Sequence, residues 1–256
     1  MHDPGKPARP ADLKQYSYLL VRVNAHREGG LPSQDVDNGT GFFVRDSLGR
    51  LFLFSALHVF SRCDVLHHTM IDWVPDSLKV WYTDRSGVYT FKELSLAPYV
   101  NRPCRADTAM YDMECMEVTE AFKDIEIHSV ETMVPSLSQQ FYGPEEGNRI
   151  FVYGYSYEVF HGKWPDIGDP ACIPIRKESR LIPRDTSFAG AGLYYLFSRP
   201  AFDDGFSGAP VFALSKNRKN GNTFDLVGIQ SYSDTIRRVS LVSPGNEIKG
   251  YIYRNR

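Results

Sequence analysis

An all-β fold, either a sandwich or a barrel, is what this 256-residue sequence predicts, on three observations. Short runs of strand-forming residues follow one another through most of the sequence. Gly, Pro, Asn and Asp separate them at the spacing of tight turns. Aromatic residues make up 13% of the total, and these suit a pleated, half-buried surface. The strand–helix alternation of a doubly wound fold is missing, since helical periodicity is rare and confined to a short stretch over Val134 to Tyr142.

The elements follow in order. Tyr16 to Val23 is a continuous apolar run with strand character. Gly41 to Arg45 and Arg50 to Ser55 flank Asp46-Ser47-Leu48-Gly49, the pattern of a hairpin with its turn. Leu78 to Tyr82 and Val88 to Leu94 repeat it around Asp84-Arg85-Ser86-Gly87. Ala106 to Val118 reads as mostly strand. Arg149 to Tyr155, Ile173 to Ile182, Leu193 to Ser198, Ala209 to Leu214, Phe224 to Ser231 and Arg237 to Val242 complete the series. Pro135 to Asn148, with Gly143-Pro144-Glu145-Glu146-Gly147, has linker composition. It separates a predicted first lobe, 13–134, from a second, 149–256.

Composition removes several function classes. With 42% hydrophobic and 23% charged residues the protein has enough apolar material to bury a full core, as one large domain or two lobes. No apolar run approaches the roughly 18 residues of a membrane-spanning helix. The net charge of −2 gives no electrostatic case for nucleic acid or an anionic membrane surface. The start, Met1-His2-Asp3-Pro4-Gly5-Lys6-Pro7, lacks the apolar stretch of a signal peptide, so a cytoplasmic location is expected. Cys63, Cys104, Cys115 and Cys172 form no C-x-x-C pair and are expected as free thiols in a reducing compartment. His67-His68 has no third ligand placed nearby and reads as solvated. Lys216 to Lys219 reads as a surface loop, and Trp73, Trp81 and Trp164 read as packing residues. No metal or organic cofactor is expected.

Three segments carry chemistry. Gly39-Thr40-Gly41-Phe42-Phe43-Val44 precedes Phe54-Ser55-Ala56-Leu57-His58-Val59, which sets a histidine directly after an apolar strand. Arg105-Ala106-Asp107-Thr108-Ala109 places an acid at the start of an apolar run. Asp204-Gly205-Phe206-Ser207-Gly208-Ala209-Pro210-Val211 places a serine in a glycine-flanked turn. Each alone reads more simply as structure, because tight turns use the same residues. Together they supply what acyl transfer by serine requires. These are a nucleophile, a base for its proton, a carboxylate to fix the imidazole tautomer, and backbone donors for the oxyanion.

The sequential order His, Asp, Ser resembles that of the trypsin-like (chymotrypsin-fold) serine proteases. Within that family the sequence looks most like bacterial trypsin-like peptidases without a propeptide. Val227-Gly228-Ile229-Gln230-Ser231-Tyr232 resembles the family's strand after the nucleophile, and the likeness runs from about Tyr16 to Tyr253. It implies two antiparallel six-stranded β-barrels with the active site in the cleft between them. It implies that Ser207 attacks, His58 shuttles the proton, and Asp107 orients His58. Gly205 and Ser207 would supply the oxyanion-hole N–H groups. Ser231 would hydrogen-bond the acid, and Ser231, Tyr232 and Ser233 would meet the substrate backbone. The implied activity is a serine endopeptidase acting on protein or peptide substrates, with no metal. The alternatives are a silent binding module on the same fold and an esterase-like hydrolase. The α/β-hydrolase elbow does not fit, because strand follows the serine and the acid precedes it.

Asp112 competes with Asp107 for the acid position. In a strand, residues i and i+2 share a face, so Asp112 would bring the Glu114 carboxylate alongside, whereas Asp107 would bring the small Ala109. Like charges at that distance undermine an ionised orienter, which favours Asp107. Four departures from the digestive enzymes stand out. Phe206 replaces the acid that receives a new N-terminal amine after proenzyme cleavage. Val59 replaces a disulfide cysteine. No C-terminal helix is expected before Arg256. The pocket positions Ala201 and Ser233 are unusual, and they favour small or medium uncharged residues before the cut, with Asp204 at the rim. Control is expected from a partner protein or a loop, with Glu158 to Pro170 and Asp185 to Gly192 as the candidate loops.

Overall fold

The computed structural model describes residues 10–23, 36–61, 63–64, 69–70, 77–98, 111–131, 147–156, 173–183, 195–214 and 224–254. Nearly all of the regular structure is strand. In the N-terminal half, Tyr18–Val23 (β1), Val36–Arg45 (β2), Leu51–Ser55 (β3), Ser77–Thr83 (β6), Tyr89–Ser95 (β7) and Glu114–Glu117 (β8) form one curled sheet. Its order is β7-β6-β1-β2-β3-β8, and Ser129–Glu131 (β9) adds in parallel to β2. Cys63–Asp64 (β4) and Thr69–Met70 (β5) make a separate small ladder. The C-terminal half is a closed barrel of Arg149–Gly154 (β10), Ile175–Ile182 (β11), Leu196–Arg199 (β12), Pro210–Leu214 (β13), Phe224–Asp234 (β14) and Val239–Pro244 (β15).

The second six-stranded barrel is therefore as expected, while among the described residues the first half is a seven-stranded half-barrel. Among the described residues its edge strands β7 and β8 do not pair. Most of the linker and both candidate control loops lie outside the described residues, as do His67-His68 and Lys216 to Lys219. Cys115 is buried and forms no disulfide. Trp81 is buried against Tyr89 and Phe91, as a packing residue should be.

Two expectations need correction. Ile248–Arg254 is a helix, although none was expected at this end. Ile248, Tyr251 and Ile252 are buried, the i, i+3, i+4 stripe of an amphipathic helix compressed into two turns. Of Ala106 to Val118, only Glu114–Glu117 is strand among the described residues. Tyr111 and Asp112 form a bend instead.

Local chemistry explains the two hairpins, which close on the same Asp-x-x-Gly-x turn. Asp46 accepts at its C=O from Gly49 N–H (3.0 Å) and donates its own N–H to Arg50 C=O (3.0 Å). Its Oδ1 accepts from the N–H groups of Leu48 and Arg50, at 2.9 Å each. Asp84 makes the equivalent set with Ser86, Gly87 and Val88. Gly49 and Gly87 both sit at φ +80°, where a side chain is strained. Arg50 adds Nε and Nη2 bonds to Asp46 Oδ2 at 2.9 and 2.7 Å.

Burial alone would raise the Asp46 carboxyl, but the Arg50 guanidinium and the turn amides outweigh it and hold the carboxyl below its usual value. Asp46→Ala is expected to cost about 2 kcal/mol of stability at pH 7, the scale of hydrogen bonds to a charged group. A depressed carboxyl stabilises above its unfolded pKa of about 3.9, and that contribution is lost as pH falls through the folded value. Urea denaturation should therefore show the gap at pH 7 and a smaller gap in strong acid.

Of four apolar clusters among the described residues, three fill and join the two halves. One fills the curled sheet, around Leu20, Phe43, Leu53 and Phe60. One fills the closed barrel, around Val152, Phe202, Phe206 and Val242. The third joins them, packing Phe42 and Phe54 of the first half with Tyr153, Phe212 and the C-terminal helix of the second. Burial of this apolar surface sets the two sheets face to face, and the candidate site lies where they meet.

Candidate active site

His58 stands on a single helical turn, Leu57–Phe60, that directly follows β3. Leu57, Val59 and Phe60 are buried around it, so the backbone is fixed while the imidazole stays 26% exposed. Arg22 on β1 is buried and donates from Nη1 to the His58 C=O at 2.7 Å. Burial pushes the Arg22 guanidinium down to about 9.

The acid that holds His58 is Asp112. Its Oδ2 lies 2.6 Å from His58 Nδ1, and its Oδ1 accepts the His58 N–H at 3.1 Å. This two-point grip orients the ring and selects the tautomer with hydrogen on Nδ1. The assignment of that role to Asp107 is therefore corrected, and Asp107 itself lies outside the described residues. The physical reason is local. The i, i+2 rule applies to extended strand, but β8 begins only at Glu114. Met113 N–H donates to Tyr111 C=O at 2.9 Å, so Asp112 is the centre of a γ-turn. Glu114 Oε1 accepts from the Cys115 N–H at 2.9 Å, along its own strand.

The turn that carries Ser207 is built from glycine geometry. Phe206 N–H reaches back to Asp203 C=O at 3.4 Å, with Gly205 at φ +88°, the arrangement of a type II turn. Gly208 follows at φ +87° and donates to Gln230 C=O at 2.7 Å. Among the described residues the N–H groups of Gly205 and Ser207 donate no hydrogen bond, which leaves both for an oxyanion. Ser207 Oγ makes no hydrogen bond to His58 among them either. Ligand-free sites of this kind commonly hold that contact open.

Thr40 ties this turn to the first half. Its N–H donates to Ser207 C=O at 2.8 Å, and its Oγ1 donates to Gly205 C=O at 3.0 Å. The flanking glycines make room. A Cβ on Gly39 would lie 2.9 Å from Val59 Cγ2 and 3.3 Å from Ser207 C=O. One point of β2 thus touches both the residue after His58 and the backbone of Ser207. The sequence pattern singled out Gly39-Thr40-Gly41 without assigning Thr40 a role, because its two partners lie more than 160 residues away.

Phe206 is fully buried and stacks on Phe202, with ring centroids 6.2 Å apart. Its ring also occupies the space where a Cβ on Gly154 would sit. The position that holds a buried acid in digestive enzymes is here part of an apolar core.

Of the expected substrate-binding residues, Ser231, Tyr232 and Ser233 lie on β14, and Ala201 and Asp204 lie between β12 and β13. Ser231 is fully buried, because a β-bulge between Gln230 and Tyr232 turns it inward against the strand alternation. Its Oγ donates to the backbone carbonyl of Asp112 at 3.2 Å rather than to the carboxylate. Ser233 Oγ lies 3.0 Å from Gln230 Nε2 and 3.0 Å from Ser240 Oγ. Ser240 Oγ also accepts from Phe202 N–H at 2.8 Å, which links the Ala201–Phe202 segment to the Ser233 strand. Ala201, Tyr232 and Ser233 are half-buried, and Asp204 is exposed. Among the described residues no His, Cys, Asp and Glu cluster could hold a metal ion, and no helix is long and apolar enough to cross a membrane.

No protein-family model and no curated protein matches the sequence. Solved structures do match the fold. A thermostable serine protease, AL20, from an extremophilic microorganism superposes with a TM-score of 0.53 at 12% identity. That match covers 96% of the present protein and 99% of the other. An inactivated protease paralogue of the scabies mite superposes with a TM-score of 0.51 at 15% identity, over 98% and 100% of the two proteins. At these identities the likeness establishes the fold, which is that of the trypsin-like serine proteases.

Proposed function

We propose that this protein is a serine endopeptidase that works through an acyl-enzyme. The observation that carries the reading is the two-point grip of Asp112 on His58, beside a glycine turn that presents Ser207. Ser207 Oγ attacks the scissile carbonyl while His58 Nε2 takes its proton. Asp112 holds the Nδ1–H and stabilises the imidazolium that forms. The N–H groups of Gly205 and Ser207 meet the oxyanion. The C–N bond then breaks, and the amine leaves with the proton from His58. Water repeats the sequence and releases the acid, regenerating Ser207. No step calls for a metal or an organic cofactor.

The specificity that goes with this reading is small or medium uncharged residues before the cut, because Ala201 offers no charge to a basic side chain. A peptide-library profile dominated by Arg or Lys at that position would overturn it.

The deciding test is a fluorophosphonate label on the full-length protein, mapped by mass spectrometry, followed by digestion of a protein mixture. Labelling of Ser207 that is lost in Ser207→Ala and His58→Ala, with cleavage of protein, supports the endopeptidase. Labelling with hydrolysis of small esters but no protein cleavage points to an esterase. A protein that takes no label is a binding module on a protease fold.

A further inference from the structure

Asp112 is held by its backbone from the other half of the molecule. Its N–H donates to the Tyr195 hydroxyl at 2.6 Å. Its C=O accepts from Ser231 Oγ at 3.2 Å, and that proton is shared with Ile229 C=O at 3.3 Å. Ser231 Oγ and Ser243 Oγ lie 2.6 Å apart, and the Ser243 hydroxyl in turn interacts with the Tyr195 hydroxyl. The three hydroxyls form a chain that spans the two peptide units flanking the Asp112 Cα. Ser231 gives its one proton to the carbonyl, so Ser243 is the donor in the Ser231–Ser243 contact. All three hydroxyl residues are buried, at 4%, 0% and 0% exposure for Tyr195, Ser231 and Ser243.

The hydroxyl chain matters because of what the carboxylate lacks. Among the described residues His58 is the only donor to the Asp112 carboxylate. Nothing else there fixes the side chain, so the place of the carboxylate follows from the place of its Cα. That Cα is the centre of a γ-turn, with no ladder bonds of its own strand to hold it. Tyr251 on the C-terminal helix adds an O–H donor to Tyr111 C=O at 3.3 Å, on the same turn. Tyr195 is suited to the task. Burial, and then the nearby Asp112 carboxylate, hold its phenol well above the usual range, so it remains a neutral hydroxyl.

We propose that Tyr195, acting with Ser243 through the hydroxyl chain, is a positioning residue that sets the Asp112–His58 contact from the second barrel. The proposal deepens the protease reading and rests on it for its catalytic consequence. Removing the Tyr195 hydroxyl leaves the Asp112 N–H without its acceptor and breaks the hydroxyl chain. The γ-turn then relaxes, and the 2.6 Å contact to His58 Nδ1 lengthens. Misplacement on that scale slows chemistry without touching the substrate pocket.

The test uses Tyr195→Phe in the full-length protein, which keeps the edge-on ring contact with Tyr111 (5.8 Å between centroids) and deletes one oxygen. Expected is a fall in the fluorophosphonate labelling rate of Ser207 by roughly 10- to 100-fold, with KM for a peptide substrate unchanged. The low-field NMR proton on His58 Nδ1 should move or broaden, a signal that depends on the Asp112 contact. Ser243→Ala should do the same to a lesser degree, and it stands in if Tyr195→Phe does not fold. A merely structural tyrosine would lower the melting temperature and leave both the rate per folded molecule and the low-field proton as in the parent. That result overturns the proposal. If the parent protein takes no label, the protease reading fails, and the low-field proton alone then decides whether Tyr195 holds the pair.

Discussion

Asp112→Asn is expected to lower kcat by about 10⁴, the loss attached to neutralising the orienting acid in a Ser-His-Asp site. An amide at that position still accepts the His58 N–H, so the fold should survive. What changes is the imidazole. A carboxylate demands hydrogen on Nδ1 and leaves Nε2 as the acceptor for the Ser207 proton. An amide can present its NH₂ to Nδ1, which puts the hydrogen on Nε2 and blocks the base. Asp107→Asn should be close to silent in the same assay, because the Asp112 carboxylate already occupies Nδ1 at 2.6 Å. Single-turnover acylation of the two variants separates them directly. An active Asp112 variant beside a dead Asp107 variant would mean that the acid is misassigned and that the γ-turn rearranges in solution.

Gly208→Ala should be the most damaging single substitution in the turn that carries Ser207, with an expected loss on the order of 4 kcal/mol or more. Two effects add. The residue sits at φ +87°, where an L side chain is strained. A Cβ there would also lie 2.0 Å from Ser55 Oγ and 2.1 Å from Thr40 C=O. Those two groups are themselves joined, since Ser55 Oγ donates to Thr40 C=O at 2.8 Å. Thr40 in turn grips Gly205 and Ser207, so relief of the clash moves the whole turn. Gly49→Ala is the control. It has nearly the same φ, +80°, but nothing within 4 Å of the added carbon. It should cost only the local strain, about 1 kcal/mol. Urea denaturation of both variants reads the difference. Equal losses would show that backbone strain alone, and not the docking of the two halves, governs the turn.

The sequence by itself determined the parts of this protein that obey short-range rules. Two Asp-x-x-Gly turns between apolar runs specify hairpins, because the Asp side chain and a left-handed glycine close the loop using only neighbours within four residues. As candidates, His58 and Ser207 were legible for the same reason. Each sits in a compact motif whose small residues and apolar flanks carry the signal. The C-terminal helix escaped because two turns give too few repeats for its apolar stripe to show.

Tertiary structure alone decided what depends on residues far apart in the sequence. Asp112 meets His58 because a γ-turn, gripped by Tyr195 and Ser231 from the other half, takes it out of strand alternation. Ser231 is buried because a bulge breaks the two-residue period at that point. Thr40 holds the Ser207 turn through partners on the second barrel. In each case a buried polar group must find a hydrogen-bond partner, and the interface between the two halves supplies one that local sequence does not contain.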